Sequence, residues 1–167
     1  TPVPSFGCVC SPMVDDKYVY MQAGAAFCKI EQDTGKIVWQ SMKDKGGMYG
    51  SAFSSPVFAT LRDKEQILVQ SRTELAGVDI DSGKILWRQP IKAFRGMNIL
   101  TPLPYNNGVY TSAYGGRSHF FGIKRDQQSW KSAEQWENKG QAYMGSPILF
   151  EDHVYLHLRN QRFACYN

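Results

Sequence analysis

Residues 29–39 read KIEQDTGKIVW and residues 77–87 read GVDIDSGKILW. The two copies lie 48 residues apart and share Asp, Thr or Ser, Gly-Lys-Ile, an aliphatic residue and Trp. A period in the forties marks a repeat architecture, in which each unit is too small to bury its own apolar face and neighbours stack to cover one another. Two further anchors recur in the same order. Ser or Thr, then Pro, then an apolar residue stands at Ser11-Pro12-Met13, Ser55-Pro56-Val57, Thr101-Pro102-Leu103 and Ser146-Pro147-Ile148. Eight residues after the proline, Val-Tyr closes on Tyr20, Tyr110 and Tyr155; in the second unit the corresponding Leu68-Val69 arrives five residues late, behind LRDKEQ. A third anchor sets an apolar residue before an acidic or polar one, at Ile30-Glu31, Val78-Asp79, Ile123-Lys124 and Tyr166-Asn167. The anchors divide the chain, read as one domain over 1–167, into units at roughly 11–39, 55–87, 101–136 and 146–167.

Each unit reads as four short strands. PMV, PVFAT, PLPY and PILF open the units, and Pro suits the start of a strand, where its missing N–H costs no ladder bond. Turns built on DDK, RDKEQ, NNG and EDH follow, rich in the residues a tight hairpin needs. YVYMQ, QILVQ, GVYTS and HVYLHL have the composition of a pleated, half-buried surface. AAFCKIE, ELAGVDI, HFFGIKR and RFACYN form third strands, and the Asp-Thr/Ser-Gly-Lys turn leads into fourth strands ending near Trp39 and Trp87. In that turn Asp bonds its own downstream backbone, and Gly35 and Gly83 supply a positive φ. Sustained helical periodicity is absent. Four antiparallel strands per unit of this length predict an all-β fold, a β-propeller. The chain supplies an arc of about three full blades and a partial fourth, cut where its Thr-Gly-Lys turn should begin. The remaining blades are expected from the same or another chain. The third unit lacks Thr-Gly-Lys and carries KRDQQSWKSAEQ between Ile123 and Trp136, four residues more than its partners. This predicts a longer outer hairpin, with Trp136 as the counterpart of Trp39 and Trp87 and Trp130 as an extra.

A formal charge of +4, from 19 basic and 15 acidic residues interspersed along the chain, leaves no basic tract and argues against nucleic-acid binding. No apolar run is long enough for a membrane-spanning helix. No signal peptide is visible, as expected for a chain that starts inside a blade.

The phrase Asp-Thr/Ser-Gly-Lys-x-x-Trp resembles the tryptophan-docking motif of the PQQ-like, quinoprotein-type propellers, whose pattern is roughly A-x-D-x-x-T-G-K-x-x-W. Asp79, Ser82, Gly83, Lys84 and Trp87 match it, as do Thr34, Gly35, Lys36 and Trp39, with Glu31 at the acidic position and Lys29 or Gly77 where the pattern has Ala. The phrases GGMYGSAFSSP and FRGMNILTP most resemble bacterial PQQ-like repeat proteins. The resemblance implies that Trp39, Trp87 and Trp136, with Gly35 and Gly83, dock one blade on the next. It implies a periplasmic or exported protein that binds or scaffolds other proteins. It leaves open the alternative of a fragment of a PQQ-dependent, calcium-requiring alcohol or sugar dehydrogenase. No catalytic constellation maps onto the chain, so whether it is an enzyme stays open, and PQQ and calcium enter only through the resemblance.

Candidate site residues gather just upstream of each proline, where the mouth of a central channel is expected. They are Cys8, Cys10, Tyr49, Arg95, Asn98 and Tyr143. Cys8 and Cys10 share one side of an extended strand, a spacing open to a soft metal or to simple burial. Arg95 has the charge to hold a carboxylate or a quinone oxygen. Cys28 and Cys165 lie three units apart, and no disulfide is expected between them. His119, His153 and His157 show no metal-ligand spacing in sequence, and Asp15, Asp16, Asp33 and Asp81 are accounted for by turns.

Overall fold

The structure is a computed structural model that describes residues 6, 7, 9–44, 52–127, 129–142 and 144–167. Four antiparallel sheets follow one another along the chain. The first holds β1 (Met13–Val14), β2 (Tyr18–Gln22), β3 (Phe27–Glu31) and β4 (Ile37–Ser41). The second holds β5 (Val57–Leu61), β6 (Lys64–Gln70), β7 (Glu74–Asp79) and β8 (Ile85–Pro90). The third holds β9 (Leu103–Tyr105), β10 (Gly108–Ser112), β11 (Ser118–Asp126) and β12 (Ser129–Asn138). The fourth has three strands, β13 (Ile148–Phe150), β14 (His153–His157) and β15 (Phe163–Tyr166). Every sheet is a meander in chain order. Among the described residues the only helical feature is a single 3-10 turn, Phe94–Gly96. The fold is all-β, a set of propeller blades that does not close.

The prolines stand one residue before the first strands, and the rungs that follow repeat. Met13, Tyr20, Lys29 and Trp39 lie side by side across the first sheet, Val57, Leu68, Gly77 and Trp87 across the second, and Leu103, Tyr110, Phe120 and Trp136 across the third. A β-bulge falls at this rung in all three sheets, between Lys29 and Ile30, Gly77 and Val78, and Phe120 and Phe121. The bulge adds one residue to the fourth strand and re-aims the tryptophan that follows it.

The rungs correct two sequence alignments. Leu68, not Val69, is the counterpart of Tyr20. In the third unit the counterpart of Ile30 is Phe121, not Ile123, so the stretch from rung to tryptophan runs 29–39, 77–87 and 120–136. The insertion is thus six residues rather than four. It lies wholly beyond the bulge, where β11 and β12 extend as paired strands to Asp126 and Ser129.

Because side chains alternate across a strand, the face that carries the rung points to the following sheet and the opposite face to the preceding one. Three cores result, one between each pair of consecutive sheets. Tyr20 and Phe27 pack with Ile67, Val69 and Val78. Leu61, Leu68, Leu75 and Trp87 pack with Val109, Phe121 and Ile123. Tyr110, with Leu103, Phe120 and Trp136, packs with Val154 and Leu156. Full burial of each large apolar side chain contributes about 1.5–3 kcal/mol, so stacking, not any single sheet, holds the fold. The same rule leaves two faces uncovered, one on each end sheet, and on the first sheet Val14 and Ile37 are 62% and 49% exposed. Ile148, Phe150 and Phe163 of the fourth sheet are 62%, 59% and 71% exposed.

Candidate functional site

The segments that carry the chain from one sheet to the next are tied down by a repeated polar device. Two residues past the rung, the second strands end on Gln22, Gln70 and Ser112, all buried. Gln22 Nε2 donates to the Ser54 carbonyl at 2.7 Å and the Gln70 carbonyl at 3.0 Å. Gln70 Nε2 donates to the Leu100 carbonyl at 3.3 Å, and its Oε1 accepts from the Thr111 hydroxyl. The Ser54 hydroxyl reaches the same Leu100 carbonyl at 2.8 Å. In the third sheet Ser112 Oγ accepts from the Ala142 N–H at 2.8 Å, and Ser118 joins Ser112, Tyr110 and the Gly140 carbonyl. On each connection at least one described backbone group is thus met by a side chain at the end of a second or third strand, as buried polar groups require. A Gln at one fixed offset in the first two units was the signal in sequence for this seam.

Among the described candidates, Arg95 and Asn98 fall on the connection between the second and third sheets, and Cys10 lies just before the first sheet. Cys8, Tyr49 and Tyr143 lie outside the described residues. Cys10 is buried and its thiol donates to the Gln22 carbonyl at 3.4 Å. Asn98 is buried, its Nδ2 held by the Ser71 and Arg72 carbonyls at 2.9 and 3.1 Å, while its Oδ1 meets no partner. Arg95 is exposed, with positive φ, and lies over the Phe94 ring. Asn98 thus ties its connection to the turn between β6 and β7, and Cys10 bonds the end of β2. Cys28 and Cys165 are free thiols, the first buried and the second exposed, and burial raises the Cys28 pKa.

The tryptophans differ from sheet to sheet. Trp39 Nε1 donates to the Ile80 carbonyl of the second sheet's turn at 3.2 Å, and its ring lies on Gly83. Lys29, buried in the same gap, reaches Ile80 O with Nζ at 3.2 Å and sits over the Tyr18 ring. The turn itself is held by Asp79, whose Oδ1 accepts from Ser82 N and Oγ at 2.8 and 2.7 Å; in the first unit Thr34 Oγ1 donates to Glu31. The anchoring acids are therefore Asp79 and Glu31, before the turn, rather than Asp81 and Asp33 within it. Gly35 and Gly83 have φ of +69° and +70°. Trp87 faces a sheet with no such turn. Its Nε1 stays at home, 2.7 Å from Gln66 Oε1, and its ring enters the core against the third sheet. Trp136 meets the Tyr166 ring edge-on at 5.0 Å. Trp130 packs at the rim of the core between the second and third sheets, under Arg125.

One group of metal-ligating side chains comes together among the described residues. His119, Glu134 and Glu137 offer donor atoms within 4.8 Å of one another. It was hidden in sequence because Glu134 and Glu137 are three apart, a spacing that puts them on opposite faces of a regular strand. The bulge at Gln135 returns both to the face of His119. This group lies on β11 and β12 beside the start of the connection to the fourth sheet, since His119 follows Ser118, which bonds the Gly140 carbonyl. No other such group of His, Cys, Asp or Glu gathers among the described residues.

The whole chain matches a known family. The family model described as outer membrane protein assembly factor BamB covers residues 3–167. The crystal structure of BamB from Moraxella catarrhalis superposes with a TM-score of 0.62 at 17% identity, over 96% of this chain and 50% of that one. At that identity the likeness shows the fold, and the chain spans half the length of that relative. Comparison with curated proteins returns no match. The chain belongs to the PQQ-like propeller repeat family that includes the outer membrane protein assembly factor BamB.

Proposed function

We propose that this chain is part of a propeller that works as a binding or scaffold module for other proteins outside the cytoplasm, in the periplasm or exported. The observation that carries the reading is the exposed face of the fourth sheet. Ile148, Tyr155 and Cys165 occupy the rung that in the first three sheets is covered by the next sheet. Further blades, from the same or another chain, are its natural cover, and the ring they complete presents broad faces to partners. The family model's description as an outer membrane protein assembly factor supports the same reading. No helix among the described residues is long and apolar enough to cross a membrane. In this reading the tryptophans are docking elements, and the candidate channel-mouth residues hold connections rather than a cofactor.

Titration of the full-length protein with PQQ and calcium tests this against the dehydrogenase alternative. The expected outcome is no quinone absorbance and no dye-linked oxidation of alcohols or sugars. A photo-crosslinking residue at Phe163 is expected to trap a further blade. Stoichiometric quinone uptake would overturn the reading.

A further inference from the structure

The geometry points to a binding site for a zinc-class divalent cation at His119, Glu134 and Glu137, on the face of β11 and β12 that turns toward the second sheet. His119 and Phe121 share that face, and Phe121 belongs to the core between the second and third sheets. The His119 ring stacks on Phe121 at 5.4 Å with an interplanar angle of 15°, which fixes its plane. Its Nδ1 stands 2.5 Å from Glu134 Oε1. Glu137 lies directly opposite His119 across the strands.

The repeat provides an internal control. At the three equivalent positions the first sheet has Cys28, Ile37 and Gln40, and the second has Ala76, Ile85 and Arg88. Only the third sheet has three ligating side chains there, so the trio is not a requirement of the blade. One member has a structural counterpart. Glu137 pairs with Arg117 at 2.9 Å, as Arg88 pairs with Glu74 at 3.5 Å in the second sheet with the charges reversed. That pairing accounts for Glu137 but not for a histidine and a second carboxylate where the second sheet has Ala76 and Ile85.

With Glu134 and Glu137 ionised and Arg117 positive, the cluster carries one surplus negative charge. Zinc takes nitrogen and carboxylate ligands at about 2.0–2.2 Å in tetrahedral array. The donors stand within 4.8 Å of one another, so side-chain rotation must close the set, and the two glutamates are exposed enough to rotate. A fourth position stays open to water or to a partner's side chain. Imidazole favours zinc over magnesium or calcium, which prefer all-oxygen sites.

Calorimetric titration of the chain with zinc, magnesium and calcium chlorides, each separately, tests the site. One zinc per chain is expected, with magnesium and calcium much weaker. Because Cys165 is an exposed thiol, the titration is repeated in Cys165→Ser, where zinc binding is expected to persist. His119→Ala and Glu134→Gln are each expected to weaken zinc by about 100-fold or more, since even supporting residues around a metal are worth 10–100-fold. The cobalt derivative is expected to lack thiolate charge-transfer bands. Circular dichroism checks that each variant folds. No stoichiometric zinc uptake, or uptake unchanged in both variants, overturns the proposal.

Discussion

Gly35 and Gly83 hold the same place in the same turn and nearly the same φ, yet a methyl group would meet different surroundings. At Gly35 nothing lies within 4 Å, whereas at Gly83 the Trp39 ring would be 2.6 Å away. Gly35→Ala is expected to cost about 1–2 kcal/mol, the left-handed backbone penalty alone. Gly83→Ala adds overpacking against an indole and is expected to cost about 2–4 kcal/mol. Urea unfolding of the two variants reads the difference directly. In the same turn, burial pushes the Asp79 carboxyl up, but the Ser82 hydroxyl and N–H and the Lys64 ammonium at 3.0 Å outweigh it and bring its pKa to about 2. The folded value is depressed, so the stability Asp79 contributes is full above its ordinary 3.8 and is lost as pH falls through about 2. Asp79→Asn is expected to flatten that acid limb in unfolding curves taken across this window.

Among the elements, the second strands do two jobs. Their middles feed the cores and their ends hold the connections. Gln70→Leu keeps the shape but removes a donor from Leu100 O and an acceptor from Thr111, both buried. The expected cost is about 2 kcal/mol. Gln40→Leu, on an exposed fourth strand, is expected to stay within about 0.5 kcal/mol. Chemical denaturation compares the two. The strands themselves were legible in sequence because Pro12, Tyr20 and Trp39 and their counterparts mark a rung, and a period-2 pattern needs no tertiary knowledge. The seam was harder to read. Gln22 and Gln70 look like ordinary polar strand ends until the chain reaching over them is seen, and Ser112 does the same job with a different group. The bulge was invisible, since no residue type announces it. With it were hidden the true length of the third unit's insertion and the meeting of Glu134 and Glu137.

For the whole molecule, the fourth sheet's open face sets the behaviour. In the 1–167 chain, Ile148→Lys and Phe163→Lys replace side chains already in water, so the unfolding free energy is expected to move by no more than about 0.5 kcal/mol each. With a further blade docked on this face, as proposed, the same changes would bury a charge at an apolar contact, and unfolding should show a loss of several kcal/mol. Sequence repetition was enough to reveal the blades and their order. The packing order, with Trp39 on the next turn and Trp87 turned back to Gln66, needed the neighbouring sheet in place.

The bulge rung also divides each blade into two unequal territories. On the side of the connections, the span from the second-strand rung residue to the third runs 20–29, 68–77, 110–120 and 155–165, a tolerance of one residue. On the other side, the third unit grows by six residues at its last hairpin and the second unit by four at its first. The second hairpin of each unit is thus kept to gauge, and the hairpins at the opposite rim are a growth margin, where chain can be added without disturbing the stack. A tag or reporter peptide spliced between Gln127 and Gln128 should leave the blade intact, whereas the same splice between Tyr114 and Gly115 should not.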